Sequence, residues 1–290
     1  MWKSEYKNIY VENNNGVYSF TNKKVTYDFD TIAKSLVFIL DGECNDIGED
    51  YFALSKGWFD DKKNRNLINA LGNITYNIFY NKLNLKANDV IWTVFSDYSG
   101  TYDKKDKPWK KRMRREKSIG IKSYNNGFLA SNCKAVNEYG DRHFVAYLIN
   151  KFMYYPLKLY FENKGTEPDE DEYAYSELIQ FIWRSAVRNR EPILLFIPSK
   201  RMREMLINKL GLDESKNIIQ YKSLDKNYID VIDNRSKHYF EDVHHTETDE
   251  AEYNYDNTYI PPDITKMSVE EYQKQQEEHN NRGRMIIDTL

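Results

Sequence analysis

The chain has 290 residues, of which 40% are hydrophobic and 15% aromatic, so it can bury a core and is not disordered throughout. Its 42 Lys and Arg against 45 Asp and Glu give a net charge of −3, which argues neither for a nucleic-acid binder nor for a strongly acidic protein. That sum hides a segregation, because residues 240–290 carry 13 acids and 4 bases whereas residues 102–118 carry nine Lys and Arg and three acids. The sequence therefore predicts a neutral body, one basic segment and one acidic tail.

The first predicted element is a small hairpin near the N-terminus, because Asn13 to Gly16 form a turn signal between two short alternating segments. Further along, short apolar runs predict strands, and those that are continuous indicate burial on both faces, as in a parallel sheet. These runs are residues 36–40, 90–95, 128–131 and 192–197.

Helices are predicted where apolar residues recur at helical spacing or follow a capping residue. The predicted helices cover residues 63–82, a segment capped by Asp141 that includes Phe144 to Phe152, residues 173–188, and a segment from Ser199 to Leu210. Residues 167–172 are acidic, contain a proline and are predicted to form a loop. The alternation of strands and helices predicts an α/β fold with a mainly parallel sheet flanked by helices.

Past residue 239 the apolar content falls, and residues 240–290 are predicted to form an acidic C-terminal tail, disordered or loosely docked. Ser268 and Glu271 match a capping box and predict a short charged helix within it. His238, His244 and His245 lie at the start of this region, and we expect no metal site there.

The basic segment is predicted to be a long loop or hairpin between two strands. Its cations could release counterions from a nucleic-acid backbone, and its tryptophan could stack on a base, as in non-specific single-strand binders. The alternative is a solvated run of charges with an incidental tryptophan. The candidate contacts are Trp109, Lys110, Lys111, Arg112, Arg114 and Arg115.

Gln180, Arg184 and Arg188 are spaced four apart and would share one face of a helix over residues 173–188. An amide and two guanidiniums in one line suit a phosphate, because Arg binds oxyanions through a bidentate fork. The alternative is that the arginines pair with nearby acids such as Glu177 and Glu191. A second group at a strand end, also placed for anions, consists of Ser199, Lys200, Arg201 and Arg203.

The stretch from Gln180 to Arg188 resembles motif VI of superfamily 2 helicases, which lies on the second of their two RecA-like domains. Trp183 stands where glycine is common, and the second arginine comes one residue later than usual. The preceding block, Phe128 to Arg142, resembles the motif V region and is most similar to replication helicases of phages from low-GC Gram-positive bacteria. The polar residues carried over as contacts to nucleic-acid backbone or nucleotide are Asn132, Lys134, Asn137 and Arg142.

The resemblance implies a RecA-like domain over residues 35–239 with a basic insertion at 102–125, preceded by an extension at 1–34 and followed by the tail at 240–290. It implies an arginine finger, Arg184 or Arg188, with Gln180 beside it, directed at the γ-phosphate of ATP. No GxxxxGK[ST] motif occurs in the chain, and Asp41 to Glu43 only imitate a Walker B strand end. ATP with Mg²⁺ would therefore be held by a P-loop domain on another chain.

The first hypothesis is thus the second motor domain of a DNA helicase that works with a P-loop partner. The alternative is a non-catalytic accessory protein that binds single-stranded nucleic acid through the basic segment, and a third possibility is an interaction protein. The chain has no run of about 18 apolar residues and no secretory signal. Cys44 and Cys133 have no disulfide or zinc spacing. We expect a protein without membrane contact in a reducing cytoplasm, the host's if a phage encodes it.

Overall fold

The computed structural model describes residues 10–14, 17–21, 34–102, 104–133 and 138–246. The predicted N-terminal hairpin is confirmed, because β1 (Tyr10–Asn14) pairs in antiparallel register with β2 (Val17–Thr21).

A five-stranded parallel sheet forms the centre of the fold. Its strands lie in the order β4, β5, β6, β3, β7, and every neighbouring pair is parallel. All but the last are almost wholly buried, which explains their continuous apolar sequence. The strands are β3 (Val37–Asp41), β4 (Val90–Thr93), β5 (Phe144–Tyr147), β6 (Ile193–Phe196) and β7 (Ile218–Gln220).

Helices connect the strands and flank the sheet, so the α/β fold with a mainly parallel sheet is confirmed. The second of them continues into a π-helical turn over Asn77–Lys82. The α-helices are α1 (Lys56–Asp60), α2 (Arg65–Tyr76), α3 (Pro108–Lys117), α4 (Tyr155–Asn163), α5 (Glu170–Ile182), α6 (Lys200–Leu210), α7 (Glu214–Asn217) and α8 (Tyr228–Thr246).

Two predicted elements around residue 140 are wrong. The segment after Asp141 was expected to be a helix, but Phe144–Tyr147 is strand β5, which pairs with both β4 and β6. Residues 128–131 were expected to be a strand, but only Phe128 pairs with the sheet, through one bridge to Trp92. The short apolar run at 144–149 fits either periodicity, and its place between two strands decides it.

Helix bounds differ from the prediction at two further places. The predicted loop at 167–172 is partly helical, since Asp169 accepts hydrogen bonds from the backbone of Asp171 and Glu172 and α5 begins at Glu170. The predicted start of the tail at 240 falls inside α8, which continues to Thr246. The remaining tail, with the capping box at Ser268, lies outside the described residues.

Candidate nucleic-acid interface

The segments that follow the strands meet at one edge of the sheet, because all five strands are parallel. Ligands of open α/β sheets bind outside this carboxyl edge. The basic segment follows β4, an aromatic segment follows β5, and a cationic group follows β6.

The basic segment forms helix α3, which corrects the prediction of a long loop or hairpin. Pro108 occupies the first turn, where its missing N–H has no cost, and Lys and Arg are good helix formers. None of the ten residues of α3 is buried. The basic segment is therefore a cationic helix on the protein surface.

One side of α3 is anchored to the protein. The carboxylate of Asp106 accepts hydrogen bonds from Lys110 at 2.8 Å and from Arg114 at 3.1 Å. At the other end, Arg65 donates to the backbone carbonyls of Lys117 and Ser118 at 2.9 and 3.2 Å. These contacts fix the helix, and they engage Lys110 and Arg114, two of the predicted nucleic-acid contacts.

The other side of α3 faces water. Trp109 is 63% exposed, and the side chain of Arg112 is 82% exposed although it pairs with Glu116. Arg115 donates to the hydroxyl of Tyr102 at 2.7 Å, which lowers the pKa of that phenol. Lys111 lies 5.7 Å from the centre of the same ring. An indole and several guanidinium and ammonium groups thus point outward together.

A buried tyrosine links α3 to the next part of the edge. The ammonium groups of Lys117 and Lys56 each lie 5.3 Å from the ring centre of Tyr98. The Tyr98 hydroxyl donates to the carbonyl of Phe59 and to the carboxylate of Asp60, and burial raises the pKa of this phenol. Burial alone would raise the pKa of the Asp60 carboxyl. Hydrogen bonds from Lys56 and Tyr98 outweigh this effect and lower that pKa.

Beyond Lys56 the edge opens into a cleft of about 500 Å³, here called the aromatic cleft. It lies outside the ends of β4 and β5. Its lining residues are Ser55, Lys56, Gly57, Phe95, Asn150, Lys151, Phe152, Met153, Tyr154, Tyr155 and Tyr173.

The cationic group after β6 is engaged within the protein. Arg203 donates to the carbonyls of Ile197 and Pro198 and to Glu49, while Lys200 pairs with Glu49 at 3.0 Å. The hydrogen bond from Lys200, with a second from Arg203, holds the pKa of the Glu49 carboxyl below its usual value.

Arg201 is buried and ties three segments together. It donates to Asn150, to the carbonyl of Lys151 and to Asp171. Arg201 and Arg203 therefore stabilise the segments at the carboxyl edge of the sheet.

The three motif VI residues do not share a helix face, which corrects that prediction. Helix α5 ends at Ile182, so Gln180 is helical and exposed, whereas Arg184 lies beyond the helix. Arg184 is only 9% exposed and donates to the carbonyl of Cys133. Arg188 is exposed in a 3-10 turn, Ala186–Asn189, just before β6.

The motif V residues are divided in the same way. Arg142 is buried and donates to the carbonyls of Val90 at 2.6 Å and Asn126 at 3.2 Å, and burial lowers the pKa of its guanidinium. Asn132 is exposed. Lys134 and Asn137 lie outside the described residues. Arg142 therefore has a role in holding the loop before β5 against β4.

Sequence reasoning missed the aromatic cleft and the link through Tyr98. Lys56, Phe95 and Tyr155 are far apart in sequence, and no local spacing joins them. The run Phe152 to Tyr155 contains three aromatic residues and begins five residues after β5 ends. The predicted helix after Asp141 took Phe152 as one of its apolar positions, so this signal was not used.

Comparison with known proteins identifies one family. A family model described as the YonV C-terminal Rossmann-like domain matches residues 31–210. The SPbeta prophage-derived uncharacterized protein YonV of Bacillus subtilis (strain 168) is 37% identical over 179 residues, which are 62% of this chain and 39% of that protein. The chain thus spans well under half of this relative, whose prophage source supports the phage origin implied by the sequence. No solved structure matches. Among the described residues, none of the helices is long and apolar enough to cross a membrane.

Proposed function

The chain belongs to the family of the YonV C-terminal Rossmann-like domain, and because such a fold hosts many activities, we propose its function from the surface it presents. The domain binds single-stranded nucleic acid through helix α3. The observation that carries this proposal is a surface helix without a buried residue that exposes Trp109 beside Arg112 and Arg115.

The charges of α3 suit a phosphate backbone. Six of its ten residues, PWKKRMRREK, are Lys or Arg, and the one acid, Glu116, forms only an exposed pair with Arg112. Exposed ion pairs contribute at most about 1 kcal/mol, so a phosphate can replace the carboxylate at low cost. Arg115 bonds to a neutral phenol, whose exchange for a phosphate turns this hydrogen bond into an ion pair.

Trp109 favours single strands over a closed duplex. Its ring is largely in water, and an indole stacks on bases that are unpaired and accessible. A duplex offers its bases only through the grooves, where an indole cannot stack without separating a base step.

The test reverses two charges on the outer side of α3. The variant R112E/R115E is compared with K226E/K237E, which makes the same change of charge at exposed lysines elsewhere. Binding of a fluorescent single-stranded oligonucleotide is measured by anisotropy at several salt concentrations. We expect R112E/R115E to bind about tenfold or more weakly and to reduce the slope of log K against log salt by about 1.4, or 0.7 per lost contact.

The control variant should bind within about twofold of wild type. Equal losses in both variants would show a dependence on net charge alone and would overturn the proposal. So would wild-type protein that fails to bind the oligonucleotide at low salt.

A second candidate, the helicase motor domain, is supported by the exposed positions of Gln180 near the end of α5 and of Arg188 in the turn before β6. In this role Arg188 reaches the γ-phosphate of ATP held with Mg²⁺ by a P-loop domain on another chain. The test is DNA-stimulated ATP hydrolysis by a P-loop protein from the same genome, with and without this chain. Stimulation by wild type that Arg188→Ala abolishes would support the role, and equal stimulation by both proteins would reject it.

A further inference from the structure

We infer that the aromatic cleft accepts one nucleotide of the bound strand, with its base between aromatic side chains and its phosphate at Lys56. This inference rests on the proposed function, because it extends the surface of α3 to a second, concave contact.

The chemistry of the lining suits a nucleotide. Five of its residues are aromatic, two are lysines, and none of the described residues that line it is acidic. Its volume of about 500 Å³ falls within the range of about 300–1,000 Å³ that small-molecule sites occupy. The aromatic residues are Phe95, Phe152, Tyr154, Tyr155 and Tyr173.

Tyr155 is the strongest candidate for stacking. It begins helix α4 and is 69% exposed although it lines the cleft, so its ring can pack on a base without losing core contacts. Stacking on aromatic rings tolerates any base, which suits a domain that binds strands without a fixed sequence.

The floor of the cleft is rigid. Asn150 donates to the carbonyls of Tyr51 and Ala53 at 2.8 and 3.1 Å and accepts from Arg201 at 3.0 Å. Arg201 also lies 4.3 Å from the ring centre of Phe152, on the cleft wall. These contacts hold the cleft open before a ligand arrives, which reduces the entropy lost on binding.

Lys56 is better placed than Lys151 to meet the phosphate. Lys151 is mostly buried and pairs with Glu177 at 3.1 Å. Lys56 is about half exposed, and its partners Asp60 and Asp97 are also partly in water. An exposed pair of this kind exchanges one anion for another at low cost.

The cleft and helix α3 form one continuous surface. Lys56 at the mouth of the cleft and Lys117 at the end of α3 contact the same Tyr98 ring. A strand that lies along α3 therefore reaches the cleft past Asp60, which keeps Lys117 at 3.8 Å and the Tyr98 hydroxyl as partners when Lys56 turns to the phosphate.

The first arm of the test titrates the full chain with thymidine 5′-monophosphate, thymidine and inorganic phosphate, by ligand-detected NMR. We expect the monophosphate to bind more tightly than either fragment, and Tyr155→Ala to weaken it by about fivefold or more. The matched control is Tyr160→Ala, because Tyr160 is exposed on the same helix but does not line the cleft. Lys56→Gln should weaken the monophosphate but not thymidine, whereas Lys63→Gln should change neither.

The second arm measures oligonucleotide binding with the same variants. Tyr155→Ala should weaken it and leave its salt slope unchanged, because an uncharged contact is lost. Loss of monophosphate binding with no change in oligonucleotide affinity would show a site for free nucleotides and would overturn the inference. Equal effects of Tyr155→Ala and Tyr160→Ala would overturn it as well.

The two proposals fail in different ways. The α3 variant R112E/R115E should lose oligonucleotide binding but keep the monophosphate. If R112E/R115E binds the oligonucleotide normally and Tyr155→Ala binds it weakly, the proposed role of α3 is rejected. The inference about the cleft would then still hold.

Discussion

The guanidinium of Arg184 donates a hydrogen bond to the backbone carbonyl of Cys133. This contact joins the end of helix α5 to the segment that follows Phe128, which are the two stretches that resemble helicase motifs. Arg184 is 91% buried by the same packing. The more buried of the two candidate arginines therefore stabilises the fold, and only Arg188 is exposed to another molecule.

Replacement of these two arginines should have opposite consequences for stability. Arg184→Ala removes a charge-assisted hydrogen bond from a partly buried carbonyl and should lower the free energy of unfolding by about 1.5–3 kcal/mol. Arg188→Ala changes an exposed side chain and should alter it by less than about 0.5 kcal/mol. Urea unfolding followed by circular dichroism measures both. Equal effects would contradict the division of roles between the two residues.

Trp109→Ala should weaken single-strand binding by about 1–3 kcal/mol, the usual contribution of one base stacked on an aromatic side chain. Trp109→Phe should retain part of that energy, since it keeps a ring. The salt slope should stay constant in both variants, because no cation is lost. Anisotropy titrations over a salt series measure both quantities, and an unchanged affinity in the alanine variant would exclude stacking at this position.

Much of the fold could be predicted from the sequence. The runs at 36–40, 90–95 and 192–197 are continuous and apolar because both faces of their strands are covered, and all three are strands. The prediction of a helix after Asp141 was wrong because the apolar residues there also fit helical spacing; they are Phe144, Val145, Leu148 and Ile149. Pairing with β4 and β6 decides in favour of a strand. The basic segment was predicted to be a loop or hairpin because it is highly charged. Its Lys and Arg residues are good helix formers, and the segment forms α3.

The candidate site could be predicted only where it is contiguous. Trp109 and its neighbouring cations fall on one helix, so composition alone revealed them. Arg142 and Arg184 were expected to meet ligands, but their burial depends on carbonyls of Val90 and Cys133, which are about 50 residues away in the chain. Three-dimensional packing thus decides whether an arginine holds the fold or meets a ligand.

Gly72 should be irreplaceable in helix α2. A Cβ atom there would lie 1.6 Å from the carbonyl oxygen of Ile119, in the segment that follows α3. Gly72→Ala should therefore cost about 1–3 kcal/mol or more through overpacking, although alanine is the better helix former. Gly57→Ala is the matched control, because a Cβ at that helical position meets nothing within 4 Å. Thermal unfolding should show a lower Tm for the first variant and an equal or higher Tm for the second.

The two cysteines should differ in reactivity. Cys44 is buried, and burial with the nearby charge of Asp41 raises the pKa of its thiol to about 12. At pH 8 only about one part in ten thousand is thiolate, the reactive form. Iodoacetamide should label the partly exposed Cys133 of the native protein and reach Cys44 only after unfolding. Labelling of Cys44 in the native Cys133→Ser variant would contradict the packing of the segment after β3.

The charge of Glu49 should stabilise the protein only above mildly acidic pH. Its hydrogen bonds with Lys200 and Arg203 place the pKa of the folded carboxyl below its ordinary value of 4.5, so the ionised form is favoured in the folded state. The stabilisation is complete above the unfolded value and is lost as the pH falls through the folded value. Because the side chain is 47% exposed, its contribution should be below about 1 kcal/mol and should shrink in high salt.

The measurement is the free energy of unfolding of wild type and Glu49→Gln between pH 7 and pH 3. Wild type should be more stable at pH 7, and the difference should close as Glu49 takes up a proton. Glu167→Gln serves as the control, because Glu167 is exposed in the loop before α5, and its difference from wild type should stay near zero throughout. A gap between wild type and Glu49→Gln that widened toward pH 3 would show that the carboxylate destabilises the carboxyl edge.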